Sequence, residues 1–173
     1  MKLPFPKILF ATVLAALVFT SCRKDEVFPD TPALEWEDHE IISENTTIDE
    51  IVLNLAFTDG DGDIGSADQG GFDTCNAQAY DLFIRYFEKV NGEFEEVFPR
   101  DTANCLYFHQ RFPDLMPEGQ NKILEGNIYA PFIYLGYPEN NNVDSVRFEL
   151  TLKDRAGNQS DVVTSPSIAI PPQ

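Results

Sequence analysis

Asp59, Asp61 and Asp63 alternate with Gly60 and Gly62, and Asp68 and Asp73 follow closely. Carboxylates at every second position can wrap a hard cation such as calcium, which takes about six to eight oxygen ligands. The intervening glycines let the backbone bend sharply and turn carbonyl oxygens inward. Crowded without a cation, the same carboxylates would repel one another. The spacing is not that of an EF-hand. With Asp59 as the first position, Ile64 stands where that loop needs Gly, and Gly70 where it needs a bidentate Glu. Aspartate and glycine also make plain solvated turns, so the pattern is compatible with a turn that binds nothing.

Other chemistry is thin. The chain has two histidines, His39 and His109, and neither lies near a nucleophile motif such as Gly-x-Ser-x-Gly. With 29 acids in the chain, a pair of carboxylates suited to glycoside hydrolysis carries no information. The 12 Lys plus Arg against those 29 acids, a formal charge of −17, exclude a nucleic-acid partner, which needs a basic surplus. Two His and three Cys leave little for a zinc centre. The expectation is therefore a non-catalytic binding or structural protein, with calcium as its candidate cofactor. The alternative is glycan recognition, with Trp36, Tyr107, Tyr129, Tyr134 and Tyr137 as stacking faces and Asn140-Asn141-Asn142 as amide donors. Aromatic residues on alternating strands are more often core.

Strands must position these residues. An apolar fraction of 43% with 14 Phe argues for a packed core rather than a disordered acidic tail. Ile51, Leu53, Leu55 and Phe57 alternate, as do Tyr80, Leu82, Ile84 and Tyr86, and most clearly Val146, Phe148, Leu150 and Leu152. Asn91-Gly92 predicts a tight turn, and residues 80–98 a hairpin. Further strands are expected near 34–37 and 126–132, the latter an edge because of Pro131, and from Val162 to Ile170. Residues 99–122 hold three prolines and predict a long ordered loop anchored by Phe108, Phe112, Leu115 and Met116. No segment carries a helical period. The predicted fold is all-β: an immunoglobulin-like antiparallel β-sandwich of about seven strands, with a long loop insertion.

In such a sandwich the loop after the second strand and the loop between the last two strands share one end. If the strand from Ile51 is the second, Asp154 and Asn158 can join Asp59, Asp61, Asp63 and Asp68 in one metal site. The local alternative for that turn is that Asp154 accepts backbone N–H bonds while Gly157 supplies a positive φ.

Residues 1–21 carry no acid, and Lys2 and Lys7 precede the apolar run from Ile8 to Phe19. As a helix that run rises about 18 Å, too short for a membrane span but right for a signal peptide. Phe19-Thr20-Ser21-Cys22 resembles the bacterial lipobox, departing from it at Phe19, where Leu is usual. The resemblance implies cleavage before Cys22 and acylation there, palmitate included, which anchors the chain because each buried CH₂ contributes about 0.8 kcal/mol. Removing residues 1–21 takes the formal charge to −19. Arg23-Lys24-Asp25-Glu26 resembles the export signal that places Bacteroidota lipoproteins on the outer face of the outer membrane. The organisation expected is a signal peptide (1–21), a lipidated tether (22–33) and one domain (34–173), displayed at the cell surface or otherwise on the periplasmic leaflet. With Cys22 lipidated, Cys75 and Cys105 remain as a pair in an oxidising compartment, where a disulfide closing about 30 residues contributes roughly 3–4 kcal/mol.

Phe57-Thr58-Asp59-Gly60-Asp61-Gly62-Asp63-Ile64-Gly65 and Leu152-Lys153-Asp154-Arg155-Ala156-Gly157-Asn158-Gln159-Ser160 are similar to landmarks of uncharacterised Bacteroidota lipoproteins with an immunoglobulin-like sandwich. That resemblance implies a location and a fold but no activity. Asp101-Thr102-Ala103 and Asp144-Ser145-Val146 resemble the O-glycosylation acceptor of the same phylum, which implies Thr102 and Ser145 as modified residues.

Overall fold

The computed structural model describes residues 28–44, 47–66, 73, 75–76, 79–99, 107–118, 122–134 and 143–170. Eight strands follow the alternation of apolar residues: β1 (Ala33–Glu44), β2 (Thr47–Asp59), β3 (Leu82–Val90), β4 (Glu93–Val97), β5 (Leu124–Ile133), β6 (Ser145–Leu152), β7 (Val163–Thr164) and β8 (Ile168–Ala169). One antiparallel sheet runs β1-β2-β5 and the other β4-β3-β6-β7, with β8 also paired to β6. The two sheets pack face to face as a β-sandwich. Lettered as an immunoglobulin sandwich, the order is A-B-E over C′-C-F-G, with no D strand among the described residues. The segment between β4 and β5 occupies that place in the chain.

The inward series Ile51–Leu53–Leu55–Phe57, Leu82–Ile84–Tyr86, Ile128–Ala130–Phe132 and Val146–Phe148–Leu150–Leu152 are all buried. Tyr86 sits among Phe132, Phe148 and Phe108 at ring-centroid separations of 4.8, 5.5 and 5.9 Å. Its hydroxyl donates to Glu88 Oε1 at 3.1 Å, which gives that buried phenol a partner.

The Asn91-Gly92 hairpin forms as expected, with φ of 52° and 90°, the positive pair that a type I′ turn requires. β5 is an edge strand, as Pro131 implies, and Gln110 Nε2 donates to the Pro131 carbonyl at 2.7 Å. Two expectations change. The first strand runs through Glu44 rather than ending at Glu37, because irregularities at Trp36/Asp38 and Ile42/Ser43 shift the phase of its alternation. The closing strand is broken into β7 and β8. Pro166 offers no N–H to a ladder, and Ser165 pairs with Phe148 through its N–H to the carbonyl and its Oγ to the Phe148 N–H, both at 2.9 Å.

The long loop is anchored by Phe108, Phe112 and Leu115, which pack against the core, whereas Met116 is exposed. His109 is part of that anchoring. Its Nδ1 accepts the Ile84 N–H at 3.0 Å, and its ring lies parallel to Tyr107 at 5.2 Å. Burial pushes its pKa below the ordinary histidine value. A neutral imidazole therefore contributes stability that is complete above pH ~6.5 and is lost as pH falls through the lowered folded value. Melting curves of wild type and His109→Gln are expected to differ most at pH 7.5 and to converge toward pH 5. A pH-independent difference would show that protonation of His109 is immaterial.

Candidate metal centre

The site forms where two inward-facing series run past their last apolar residue. β2 presents Ile51, Leu53, Leu55 and Phe57 to the core, and the next residue in phase is Asp59, which is 0% exposed. β6 presents Val146, Phe148, Leu150 and Leu152, and the next in phase is Asp154, 1% exposed. Period two thus carries one carboxylate from each sheet into the same end of the sandwich. Asp61 and Asp63, half-buried, come from the loop that leaves β2. One carboxylate oxygen from each of Asp59, Asp61, Asp63 and Asp154 lies within 4.8 Å of the others. This cluster of four acids can hold a metal ion.

Backbone contacts shape the loop. Asp59 Oδ2 accepts the Asp63 N–H at 3.0 Å and closes the turn. Gly62 has φ 64°, and a Cβ there would lie 1.7 Å from the Lys122 carbonyl oxygen. Ile64 is fully buried, and its carbonyl accepts the Leu115 N–H at 3.2 Å. From the other sheet, the Arg155 N–H reaches the Asp63 carbonyl at 3.2 Å. The Arg155 guanidinium donates to the Gly65 carbonyl at 2.8 and 3.1 Å and to Asp114 at 2.9 Å. Arg155 therefore clasps the two loops together. Sequence reasoning missed this role, although Arg155 lies within a motif it singled out.

Asn158 reaches the cluster through Asp154. Its N–H and its Nδ2 donate to the two Asp154 carboxylate oxygens, both at 2.7 Å, and Gly157 turns with φ 94°. The local turn and the convergence of the two loops therefore coexist. Asp68 lies outside the described residues, so the structure brings together four of the expected carboxylates, with Asn158 orienting one of them.

The electrostatics are those of a site short of positive charge. Burial raises the Asp59 pKa to about 6, opposed by the Asp63 N–H and reinforced by the charges of Asp61, Asp63 and Asp154. Asp61 is raised by burial first, then by Asp63, Asp30 and Asp154. Asp59 Oδ1 and Asp61 Oδ1 are buried without a hydrogen-bond partner among the described residues. Burying a carboxylate oxygen with nothing to compensate it is costly, and a cation is the partner that would remove the cost at both atoms.

The remaining candidates scatter. Tyr134 is fully buried, Trp36 packs on the core, and Tyr107 lies against His109, whereas Tyr129 is 67% exposed. His39 Nδ1 lies 3.6 Å from Asp38, far along β1 from the cluster. Ser145 is 9% exposed and its Oγ donates to Asp144 at 2.8 Å. Thr102, Cys105, Tyr137 and Asn140–Asn142 lie outside the described residues, as do the expected signal peptide, Cys22 and the expected tether up to residue 27. No family model, curated protein or solved structure matches this chain.

Proposed function

We propose that the chain is a non-catalytic lipoprotein of the outer membrane whose β-sandwich holds calcium at the pole built by residues 59–63 and 154–158. The calcium stiffens that pole, and the domain serves structure, adhesion or binding at the cell surface. The observation that carries this reading is the pair of buried carboxylate oxygens, on Asp59 and Asp61, with no hydrogen-bond partner among the described residues, inside a cluster of four acids drawn from both sheets. Calcium is favoured over zinc because the donors are all oxygen, and over magnesium because a flexible set of carboxylates and loop carbonyls suits its larger, irregular shell. Calorimetric titration of the full-length protein in detergent with calcium chloride is expected to give binding in the range of about 10⁻⁴–10⁻³ M found for extracellular modules. Absence of heat at millimolar calcium would overturn the metal reading.

The anchor is tested separately. The mature N-terminal peptide is expected to carry acyl chains on Cys22, and Cys22→Ser to release the protein from membranes. Protease treatment of intact cells then reports surface display. A Cys75–Cys105 disulfide, supported by the bonded state of the Cys75 sulfur, is part of the same reading of an exported protein.

A second reading, glycan recognition, is favoured by one surface. On the outer face of the β1-β2-β5 sheet, Asp38, Asn54 and Tyr129 form one cross-strand row and Glu35, Ala56 and Asn127 the next. A trough of about 260 Å³ begins at the second row, lined by Glu35, Ala56 and Asn127 together with Thr58, Glu125 and Gly126. An exposed tyrosine beside amide and carboxylate groups suits a neutral sugar, whose hydroxyls can donate to them. A glycan array probed with calcium-loaded protein tests this, and no hit would remove it.

A further inference from the structure

The loop that supplies Asp59, Asp61 and Asp63 is in backbone contact with the segment that leads to the anchor. The Gly60 N–H donates to the Pro29 carbonyl at 2.9 Å. A Cβ at residue 60 would lie 2.3 Å from the Phe28 carbonyl oxygen and 2.6 Å from that of Pro29. The tether backbone therefore crosses the loop between two of its carboxylates, with room only for glycine beneath it. Buried Pro32 and the start of β1 at Ala33 hold the far side of this crossing. Asp30, exposed, directly follows the crossing point.

We propose that the tether segment Phe28–Asp30 is a component of the metal centre, with Asp30 supplying a further negative charge, so that cation binding fastens the domain to its own N-terminal anchor. The inference rests on the calcium reading above. Two observations carry it: the tether's backbone contact with the loop, and the buried Asp59 Oδ1 in the cluster beneath, which has no hydrogen-bond partner among the described residues. The charge of Asp30 acts on Asp61, which shows the two carboxylates to be electrostatic neighbours. Without a cation, Asp30 adds repulsion to a site already crowded with acids and works against the Pro29–Gly60 contact. With a divalent cation the same charge becomes attractive. Loop and tether then hold each other.

The consequence is a defined stance. Five residues separate Cys22 from Phe28, six backbone steps with a reach of at most about 22 Å. With Cys22 in the membrane, the metal pole faces the lipid, and the Asn91-Gly92 end of the sandwich points away. Calcium then sets how firmly the domain stands on its anchor.

Calorimetry and hydrogen exchange on the full-length protein in detergent test this. Asp30→Asn is expected to weaken calcium binding about threefold to tenfold, an effect that shrinks between 50 mM and 0.5 M salt because it acts through an exposed charge. In the wild type, calcium is expected to slow amide exchange at Gly60 and across residues 30–33. Calcium binding with unchanged affinity in Asp30→Asn and unchanged exchange in those residues would overturn the tether's role while leaving the metal centre intact. No calcium binding by the wild type would overturn both.

Discussion

Calcium at 10 mM is expected to raise the melting temperature of the protein by about 5–10 °C, and Asp59→Asn to abolish that rise. Ten millimolar is about 10–100 times the dissociation constant expected for such a module, and stabilises by about 1.4–2.7 kcal/mol through mass action. A domain of this size shifts by roughly 3–4 °C per kcal/mol. Asp59→Asn also has a diagnostic sign without metal. The folded-state pKa of Asp59, about 6, lies above its ordinary value of 3.8. Its contribution to stability is therefore fully present below pH ~3.8 and is lost as pH rises through about 6. At pH 7.5 in EDTA, the ionised side chain is a burden that asparagine does not carry, and the asparagine oxygen can still accept the Asp63 N–H. The variant is expected to melt at or above wild type in EDTA and below it in calcium. Because a proton competes for Asp59, the calcium-induced rise in wild type should shrink from pH 7.5 to pH 5. A rise of equal size in Asp59→Asn would show that calcium acts elsewhere.

Gly62→Ala is expected to lower the melting temperature by about 10–15 °C and to remove the calcium response with it. Two costs add. An L residue at φ 64° costs about 1–2 kcal/mol, and a Cβ placed 1.7 Å from the Lys122 carbonyl oxygen forces backbone apart at a further cost of about 1–3 kcal/mol. Gly92→Ala separates the two. Its φ is 90°, but nothing lies within 4 Å of the added Cβ, so it should show only the strain, about 1–2 kcal/mol, and keep its full response to calcium. Equal losses in the two variants would mean that the packing of the loop against residue 122 is unimportant.

Much of this protein could be read in its residues, for local reasons. Alternation at period two identified the inward faces of β2, β3 and β6, and a side chain's position within a strand depends on little else. Asn91-Gly92 announced its turn because few residues accept two consecutive positive φ values. Pro131 marked an edge because it lacks a donor. The aspartate-glycine loop stood out by composition, and the topology of the sandwich allowed Asp154 to be placed beside it.

Other features resisted such reading because their causes are distant in the chain. The phase slips in β1 and the break at Pro166 depend on what the neighbouring strand offers at each rung. The clasp from Arg155 to Gly65 and Asp114 spans 90 and 41 residues, and no local pattern encodes it. The crossing of Pro29 over Gly60 was equally hidden, since residues 22–33 were legible only as an extended charged spacer.

The sequence by itself determined the class of the fold, the faces of its strands and the residues rich in metal-binding oxygen. Only the tertiary structure decided that Asp59 and Asp154, each the next inward residue of its strand, arrive at one point, where one oxygen of Asp59 and one of Asp61 are buried with no hydrogen-bond partner among the described residues. Alternation is a property of one strand, whereas the convergence of two carboxylates depends on how two sheets are stacked and where both run out of apolar residues.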